Sequence, residues 1–231
     1  MKLSILIPSY NELKTLPEIL SKISLIKLEK EIIIIDDGST DGTFDWLKKA
    51  VEGKAYPYEI RLFKHECNKG KGSALITGIE KAEGDIIVVQ DADLEYNPKH
   101  IEPLVKPIIE DGFEVVYGSR RLSKESETYN MVYLWGNQFL TTLNNVLCGS
   151  HMTDSYTCYK AFKAPIIKNL NLSSPGFEIE AEISAKISLA KYKFTEIPVA
   201  YISRGRQEGK KINYKDAIKG ILKILEIRLG K

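Results

Sequence analysis

Several features are scarce in this 231-residue sequence, and each absence excludes a class of protein. Only three cysteines occur, with no CxxC pair, which argues against a disulfide scaffold and predicts free thiols in a reducing compartment. No apolar run reaches the roughly 20 residues that span a bilayer. The apolar run at the N-terminus is too short for a signal peptide and has no small-residue cleavage site. The sequence therefore predicts a soluble or peripheral protein, located in the cytoplasm.

An excess of charge of one sign is also missing from the chain as a whole. Lys and Arg together number 33 and Asp and Glu 31, for a formal net charge of +2. A basic footprint for nucleic acid is therefore absent, and no nucleic-acid partner is predicted. Residues 203–231, however, hold nine basic and three acidic side chains. Such a segment is typical of contact with a polyanion or an anionic membrane surface, and a solvated basic helix is the alternative.

Three familiar catalytic or nucleotide-binding signatures are not found. The G-x-G-x-x-G fingerprint of dinucleotide-binding proteins does not follow the first predicted strand, and the G-x-S-x-G elbow of serine hydrolases does not occur. The loop Asn-Lys-Gly-Lys-Gly-Ser at 68–73 does not have the Walker A spacing. Its glycines still allow the backbone to approach a ligand at a helix N-terminus, although a surface turn is the alternative.

The hydrophobic pattern predicts an α/β protein. Short apolar runs alternate with amphipathic stretches in the first half, and the four isoleucines at 32–35 are typical of a strand buried on both faces. Repeated β-α-β units predict a mostly parallel sheet flanked by helices, with ligands beyond the carboxyl ends of its strands. The predicted strands are 3–8, 32–35, 58–63, 85–89 and 114–117, and the helices between them are 12–25, 41–51, 72–82 and 98–110. The second half is less regular, with helices predicted at 131–147, 178–189 and 214–229 and strands at 156–162 and 193–201.

Three carboxylates follow the fourth predicted strand. Asp91, Asp93 and Glu95 alternate along the chain and would face one side in extended geometry. Such an oxygen-rich cluster suits Mg²⁺ or Mn²⁺ shared with substrate phosphates. A capped turn is the alternative, since aspartate is common in turns.

These motifs in combination resemble family 2 glycosyltransferases of the GT-A fold. The matching segments are Pro-Ser-Tyr-Asn-Glu at 8–12, Asp-Asp-Gly-Ser-Thr-Asp at 36–41, the glycine-lysine loop continuing to residue 74, and Asp-Ala-Asp at 91–93. The segments 117–120, 153–160, 176–180 and 208–212 further resemble dolichol-phosphate mannose synthases and related polyprenyl-phosphate glycosyltransferases. No C-terminal transmembrane helices are found, so the resemblance is to the compact, soluble type.

The resemblance implies a division of labour within one domain, residues 1–231. Residues 1–120 would hold the nucleotide sugar and the metal, and residues 121–231 the acceptor and an amphipathic C-terminal helix. The implied nucleotide-binding residues are Pro8, Tyr10, Glu12, Asp37, Lys71 and Asp91. Asp91, Asp93 and Glu95 would form the metal and diphosphate centre, with Glu95 standing where the mannose synthases often have glutamine. The implied acceptor-binding residues are Arg120, Asp154, Arg204, Lys210 and Lys211, and catalysis would rest on Asp91, Asp93, Arg120 and Arg204.

The expected reaction is inverting transfer of a hexose to a polyprenyl or dolichyl phosphate. The donor would be GDP-mannose or UDP-glucose, because no residue distinguishes them. A phosphate monoester is mostly ionised near pH 7, since its second pKa is about 6, so the acceptor needs cations more than a general base. If the acceptor were instead a hydroxyl of a glycan or small molecule, Asp154 would be the leading base candidate. A catalytically silent nucleotide-binding scaffold is the third hypothesis.

The final helix suggests contact with a membrane. Apolar residues recur at helical spacing through 214–225, with lysines elsewhere around the helix, as in helices that lie on anionic lipid. The uncharged stretch 129–152 contains Trp135 and Phe139 and could supply a second contact. Packing of the same apolar stripe on the domain core is the alternative.

Overall fold

A seven-stranded sheet forms the centre of the computed structural model of the chain, which describes residues 1–126, 131–203 and 214–230. The strands are β1 (Leu3–Ser9), β2 (Lys30–Asp36), β3 (Glu59–Lys64), β4 (Ile86–Val89), β5 (Val115–Ser119), β6 (Lys160–Lys163) and β7 (Phe194–Pro198). Their order across the sheet is β3-β2-β1-β4-β6-β5-β7. Only β6 runs antiparallel to its neighbours β4 and β5 among these strands, so the prediction of a mostly parallel sheet is confirmed.

Eight α-helices surround the sheet in the described part of the chain. They are α1 (Leu16–Ile23), α2 (Thr43–Glu52), α3 (Lys71–Lys81), α4 (Ile101–Glu110), α5 (Met131–Cys148), α6 (Ala164–Lys168), α7 (Ile179–Ala190) and α8 (Tyr214–Arg228). A 3₁₀ turn, Pro98–His100, leads into α4. Proline at the start of this turn and an asparagine before it explain where the helix begins, since the Asn97 side chain accepts from the Lys99 amide at 3.0 Å.

The sheet is covered on both faces, as the isoleucine run of β2 predicts. Ile32 and Ile34 pack into the core on the side of α1, α2 and α4, while Ile33 and Ile35 pack on the side of α3, α6 and α7. All four are fully buried. Each such side chain contributes about 1.5–3 kcal/mol relative to an exposed one, which anchors the strands whose ends carry the polar loops.

In the second half one predicted strand begins later than expected, and one helix has no counterpart among the predictions. The strand expected over 156–162 begins only at Lys160, because Thr157 Oγ1 accepts from the Tyr159 amide at 3.2 Å and turns the chain before it. The short helix α6 was not predicted. It follows β6 without a connecting loop, and Pro165 lies in its first turn.

The helix α8 divides its apolar residues between two environments. Ala217, Ile221 and Ile224 pack against α5 and α7 in a separate small core. Ile218 and Leu222 are more than half exposed, so one face of the helix packs on the core as the alternative predicted, and contact of the other face with a membrane stays a prediction. On α5, which has no charged residue, Trp135 and Phe139 are 68% and 58% exposed. No helix in the described ranges is long and apolar enough to span a bilayer.

Candidate active site

A cavity of about 330 Å³ opens where β1, β2 and β4 end at their carboxyl edge. Parallel strands deliver their following loops to the same edge, which is why motifs scattered over the first half of the sequence meet here. Nine predicted site residues line this cavity: Pro8, Tyr10, Glu12, Asp37, Lys71, Asp91, Asp93, Glu95 and Arg120. The geometry therefore brings together the residues predicted for the nucleotide and the metal with one residue predicted for the acceptor.

Asp37 shapes the glycine-lysine loop from its position after β2. Its Oδ1 accepts from the Lys69 amide at 3.0 Å and lies 2.6 Å from His65 Nδ1, and its Oδ2 accepts from the Gly70 amide at 2.8 Å. Gly70 has φ +97°, and a Cβ there would lie 2.5 Å from the Pro175 carbonyl oxygen. Only glycine fits this turn, which sets the loop against the cavity.

Lys71 and Asp91 form an ion pair on the cavity wall. Lys71 is the first residue of α3, and its Nζ lies 2.8 Å from Asp91 Oδ1 and 3.1 Å from Oδ2. Burial by itself would lower the pKa of Lys71, but attraction to Asp91 outweighs it and raises that pKa well above its usual value. Burial opposes ionisation of Asp91 too, and Lys71 holds the pKa of Asp91 below its usual range. Both side chains are therefore charged at neutral pH.

The segment from Asp91 to Glu95 is a turn, so the expectation of extended geometry is wrong. Leu94 has φ +64°, and the Glu95 amide donates to Asp93 Oδ1 at 3.1 Å. An isolated bridge between Tyr96 and Tyr201 closes the turn, and the Tyr201 hydroxyl donates to Glu95 Oε2 at 2.8 Å. The three carboxylates consequently take different roles instead of presenting one face.

A divalent ion fits this turn only as one shared with a ligand. No group of three His, Cys, Asp or Glu side chains in the described ranges could hold a metal by itself. Asp93 and Glu95 both line the cavity, while the charge of Asp91 is balanced by Lys71. One or two carboxylates completed by substrate phosphates is the usual arrangement for Mg²⁺, and carboxylate oxygens suit Mn²⁺ equally. The donor set is compatible with that arrangement.

Arg120 enters the cavity from the end of β5, held from behind by Asp154. Its Nε donates to Asp154 Oδ2 and its Nη2 to Oδ1, each at 2.7 Å. Asp154 is only 3% exposed and does not line the cavity, so the structure makes it a positioning partner of Arg120 and not part of the wall that an acceptor would touch. Burial would raise the pKa of Asp154, but Arg120 holds it below its usual range. The described residues accept no hydrogen bond from Nη1, which leaves the second edge of the guanidinium for an anion.

Glu196 of β7 supports the pair of Arg120 and Asp154 indirectly, through the backbone of the segment that carries Asp154. Its two carboxylate oxygens accept from the backbone amides of Thr153, at 2.8 Å, and Asp154, at 3.1 Å. The Arg120 guanidinium also lies 5.2 Å from the centre of the Tyr201 ring. Arg120 is therefore held directly by Asp154 and Tyr201 and indirectly by Glu196, which fixes the segment that carries Asp154.

Nine residues of the cavity wall were not predicted as site residues. Five of them lie within the motifs of the first half, Ser9, Asn68, Gly70, Ala74 and Ala92, and the others are Asn137, Cys158, Phe177 and Tyr201. Cys158 and Phe177 lie within segments that carried the family resemblance, so the signal was present without a role attached. Asn137 and Tyr201 carry no such signal. Cys158 Sγ lies 2.9 Å from Lys71 Nζ, and burial, reinforced by Asp91, raises the pKa of its thiol well above the usual value. Arg204, Lys210 and Lys211 lie outside the described residues.

Comparison with known proteins gives a consistent result. The family model described as "Glycosyl transferase family 2" matches residues 4–170. The dolichol-phosphate mannosyltransferase of Pyrococcus furiosus is 32% identical over 220 residues, covering 91% of this chain and 59% of that protein. The UDP-N-acetylglucosamine--dolichyl-phosphate N-acetylglucosaminyltransferase of Methanococcus voltae is 30% identical, covering 98% of this chain and 96% of that protein.

Solved structures agree on the fold. Glucosyl-3-phosphoglycerate synthase from Mycobacterium tuberculosis, in complex with phosphoglyceric acid, superposes with a TM-score of 0.71 at 21% identity, covering 99% of this chain and 80% of that one. The same enzyme in complex with Mn²⁺, uridine diphosphate and glucosyl-3-phosphoglycerate gives a TM-score of 0.67 at 20% identity, again covering 99% and 80% of the two chains. At this identity the likeness establishes a GT-A fold.

Proposed function

The chain belongs to glycosyl transferase family 2 and is a glycosyltransferase of GT-A fold, and from this premise we propose that it transfers a hexose from a nucleotide sugar to a polyprenyl phosphate. The two relatives named above act, by their names, on dolichol or dolichyl phosphate. The observation that carries the acceptor assignment is the geometry of Arg120. Asp154 accepts from Nε and Nη2 and so orients the guanidinium, while Nη1 on its second edge has no acceptor among the described residues. A phosphate fits such an edge in a bidentate manner.

The proposed displacement is a single step. An oxygen of the acceptor phosphate attacks the anomeric carbon, the bond from that carbon to the diphosphate oxygen breaks, and the nucleoside diphosphate leaves with the electron pair. Attack opposite the leaving group inverts the anomeric centre. The acceptor is already ionised near neutral pH, so no side chain has to remove a proton.

We propose that Asp93 and Glu95 hold Mg²⁺ or Mn²⁺ together with the donor diphosphate. A divalent ion bound there would neutralise the negative charge that the leaving group develops. The chain's own part is to keep the two carboxylates at the cavity: the Glu95 amide fixes Asp93, and Tyr201 fixes Glu95. Asp37 and the loop that it organises would hold the nucleoside.

Transfer to a hydroxyl group is the second candidate, and one observation disfavours it. A hydroxyl acceptor needs a general base within hydrogen-bond reach. Asp154, the base that the sequence suggested for that case, is turned away from the cavity, and both its carboxylate oxygens accept from Arg120.

The surface formed by α5 and α8 supports attachment to a membrane. Trp135 and Phe139 on α5 and Ile218 and Leu222 on α8 expose apolar area, and the neighbouring Lys219 of α8 is also exposed. Asn137 of the same helix lines the cavity from the opposite face, about 200° around the helix from Trp135, so α5 lies between this surface and the active site. We propose that it rests on anionic lipid, at the cytoplasmic face, and so brings the cavity to a lipid-borne phosphate.

The decisive experiment is an assay of a donor panel against two acceptors. The purified chain, with MnCl₂ or MgCl₂, is incubated with GDP-mannose, UDP-glucose or UDP-N-acetylglucosamine and either a polyprenyl phosphate or 3-phosphoglycerate. We expect a glycolipid of inverted configuration, detected by mass spectrometry and NMR. A product formed only with 3-phosphoglycerate would support the hydroxyl alternative, and a chain that turns over no donor would support the silent scaffold.

Substitution of Arg120 tests the acceptor site. Arg120→Lys keeps the charge and loses the second edge, so we expect the KM for polyprenyl phosphate to rise about tenfold or more, with a smaller change in the KM for the donor. Arg120→Ala alone would leave Asp154 buried without a cation, at a cost of about 3–5 kcal/mol of stability. The variant Arg120→Met with Asp154→Asn removes both charges and is the matched control for folding. Wild-type kinetics in Arg120→Lys and in the double variant would refute the proposed role of Arg120 in binding the acceptor.

A further inference from the structure

Behind the cavity wall, charges of alternating sign run in a line from the core to the active site. Lys160 Nζ is paired with Glu180 Oε2, Glu180 Oε1 lies 3.3 Å from Lys71 Nζ, and Lys71 pairs with Asp91. Lys160 is 1% exposed and Glu180 3%. The segment 176–180 is part of the family resemblance, but Glu180 has no role in the proposed reaction or among the predicted nucleotide-binding residues.

Lys71 needs this support because of where it lies. As the first residue of α3 its ammonium is next to the positive end of the helix dipole, which disfavours a cation there. Glu180 lies in the first turn of α7, where the dipole favours a carboxylate. The geometry therefore favours Glu180 as the fixed charge and Lys71 as the group that it restrains.

Glu180 has its two oxygens assigned to different partners. Oε2 accepts from Lys160, whereas Oε1 makes no hydrogen bond in the described part of the chain and faces Lys71 as an ion pair. Lys71 Nζ in turn donates hydrogen bonds to Asp91 Oδ2 and Cys158 Sγ. A buried carboxylate oxygen in this situation is stabilised by the charge beside it, so a shift of Lys71 away from Glu180 is opposed.

We infer that Glu180 is a positioning residue for the nucleotide-sugar site, acting through Lys71 on Asp91. This inference rests on the proposed function, since it concerns the site that binds the donor. By holding Lys71 between two carboxylates, Glu180 fixes the position of Asp91 at the cavity wall before the donor arrives. A preorganised wall avoids the cost of ordering these side chains on binding.

Titration with nucleotide separates this role from a purely electrostatic one. Wild type and Glu180→Gln are titrated with UDP and with GDP in MnCl₂ by calorimetry. Loss of one negative charge near an anionic diphosphate would by itself strengthen binding. Positioning predicts the opposite sign, and we expect the dissociation constant to rise about tenfold. The double variant Glu180→Gln with Lys160→Met leaves the net charge unchanged and should show the same weakening.

Glu182→Gln is the matched control. Glu182 lies on the same helix, is 1% exposed and pairs with Lys186, but it contacts the backbone of Ser173 and Ser174 and does not line the cavity. It should lower the melting temperature and leave nucleotide affinity within about twofold. Equal nucleotide affinities in Glu180→Gln and Glu182→Gln, or tighter binding in Glu180→Gln, would overturn the inference. If the wild type still binds a nucleotide in that case, the proposed function is unaffected. A wild type that binds neither nucleotide would overturn both.

Discussion

Charged side chains at the cavity are held in two different ways. Lys71 is fixed by an ion pair with Asp91 and Arg120 by one with the buried Asp154, so the cations are in place before any ligand binds. Asp93 and Glu95 both line the cavity and accept instead from a backbone amide and a tyrosine hydroxyl. This difference is why we assign the metal to Asp93 and Glu95 and not to Asp91.

The metal assignment predicts a specific effect of Asp93→Asn. Asparagine keeps an oxygen that can accept from the Glu95 amide, so the turn should be retained while the charge is lost. We expect nucleotide affinity in MnCl₂ to fall about tenfold or more, because a metal ligand is lost. In EDTA the affinity should stay the same or rise, because without metal the variant only removes a negative charge near the diphosphate. Transfer activity should be lost. Metal-dependent activity equal to wild type would show that Asp93 only caps the turn.

Individual site residues could be predicted from the sequence where they lie in a recognisable loop. Asp37, Asp91 and Arg120 follow buried strands directly, and the edge of a parallel sheet brings such positions together. Their supporting partners could not be predicted. The separation along the chain is 87 positions between Lys71 and Cys158 and 43 positions between Thr153 and Glu196. Only the folded chain brings each pair into contact.

Among the elements, the first turn of α3 is closely approached by the backbone of the segment before α7. A Cβ on Gly72 would lie 2.0 Å from the Ser174 carbonyl oxygen and 2.9 Å from the Gly176 carbonyl oxygen. These residues precede Phe177 in the cavity wall. Gly72 therefore sets the distance between α3 and the segment leading into α7.

Gly72→Ala should consequently lower the free energy of unfolding, by about 1–3 kcal/mol as for other overpacked positions. Gly136→Ala is the matched control, because a Cβ on this glycine of α5 meets nothing within 4 Å. In a helix interior that change should raise stability by about 0.5–1 kcal/mol. Urea unfolding of both variants measures the two effects. A Gly72→Ala variant as stable as wild type would mean that the 174–176 segment shifts without cost.

The regular elements of the first half could be predicted because one signal governs each of them. Periodicity located β1, β2 and α1, since the strands are buried on both faces and the helix on one. In the second half the signals conflict: the apolar run before Lys160 has strand propensity, but hydrogen bonds of Thr157 and Tyr159 turn the chain. Tertiary contacts that oppose local propensity are not visible in one sequence.

At the scale of the whole molecule, the exposed apolar side chains are unevenly distributed. Ile218 and Leu222 of α8 and Trp135 and Phe139 of α5 lie on two helices that pack against each other. Leu25, at 79% exposure, lies between α1 and β2, whose buried residues belong to other cores than those of α5 and α8. The proposed membrane surface and an unrelated exposed leucine can therefore be compared within one protein.

Co-sedimentation with vesicles tests the proposed attachment. We expect wild type to pellet with anionic vesicles at low salt and less so at 0.5 M salt, where the screening length is only about 4 Å. Trp135→Ser with Phe139→Ser removes inserted apolar area, and Lys219→Glu reverses a charge worth about 1 kcal/mol near the lipid, so each should shift protein to the supernatant. Lys223 is the weaker choice because it pairs with Glu226 at 2.8 Å. Leu25→Ser should pellet like wild type. If wild type stays in solution at low salt, or if Leu25→Ser loses as much binding as the α5 variant, the surface of α5 and α8 does not rest on lipid.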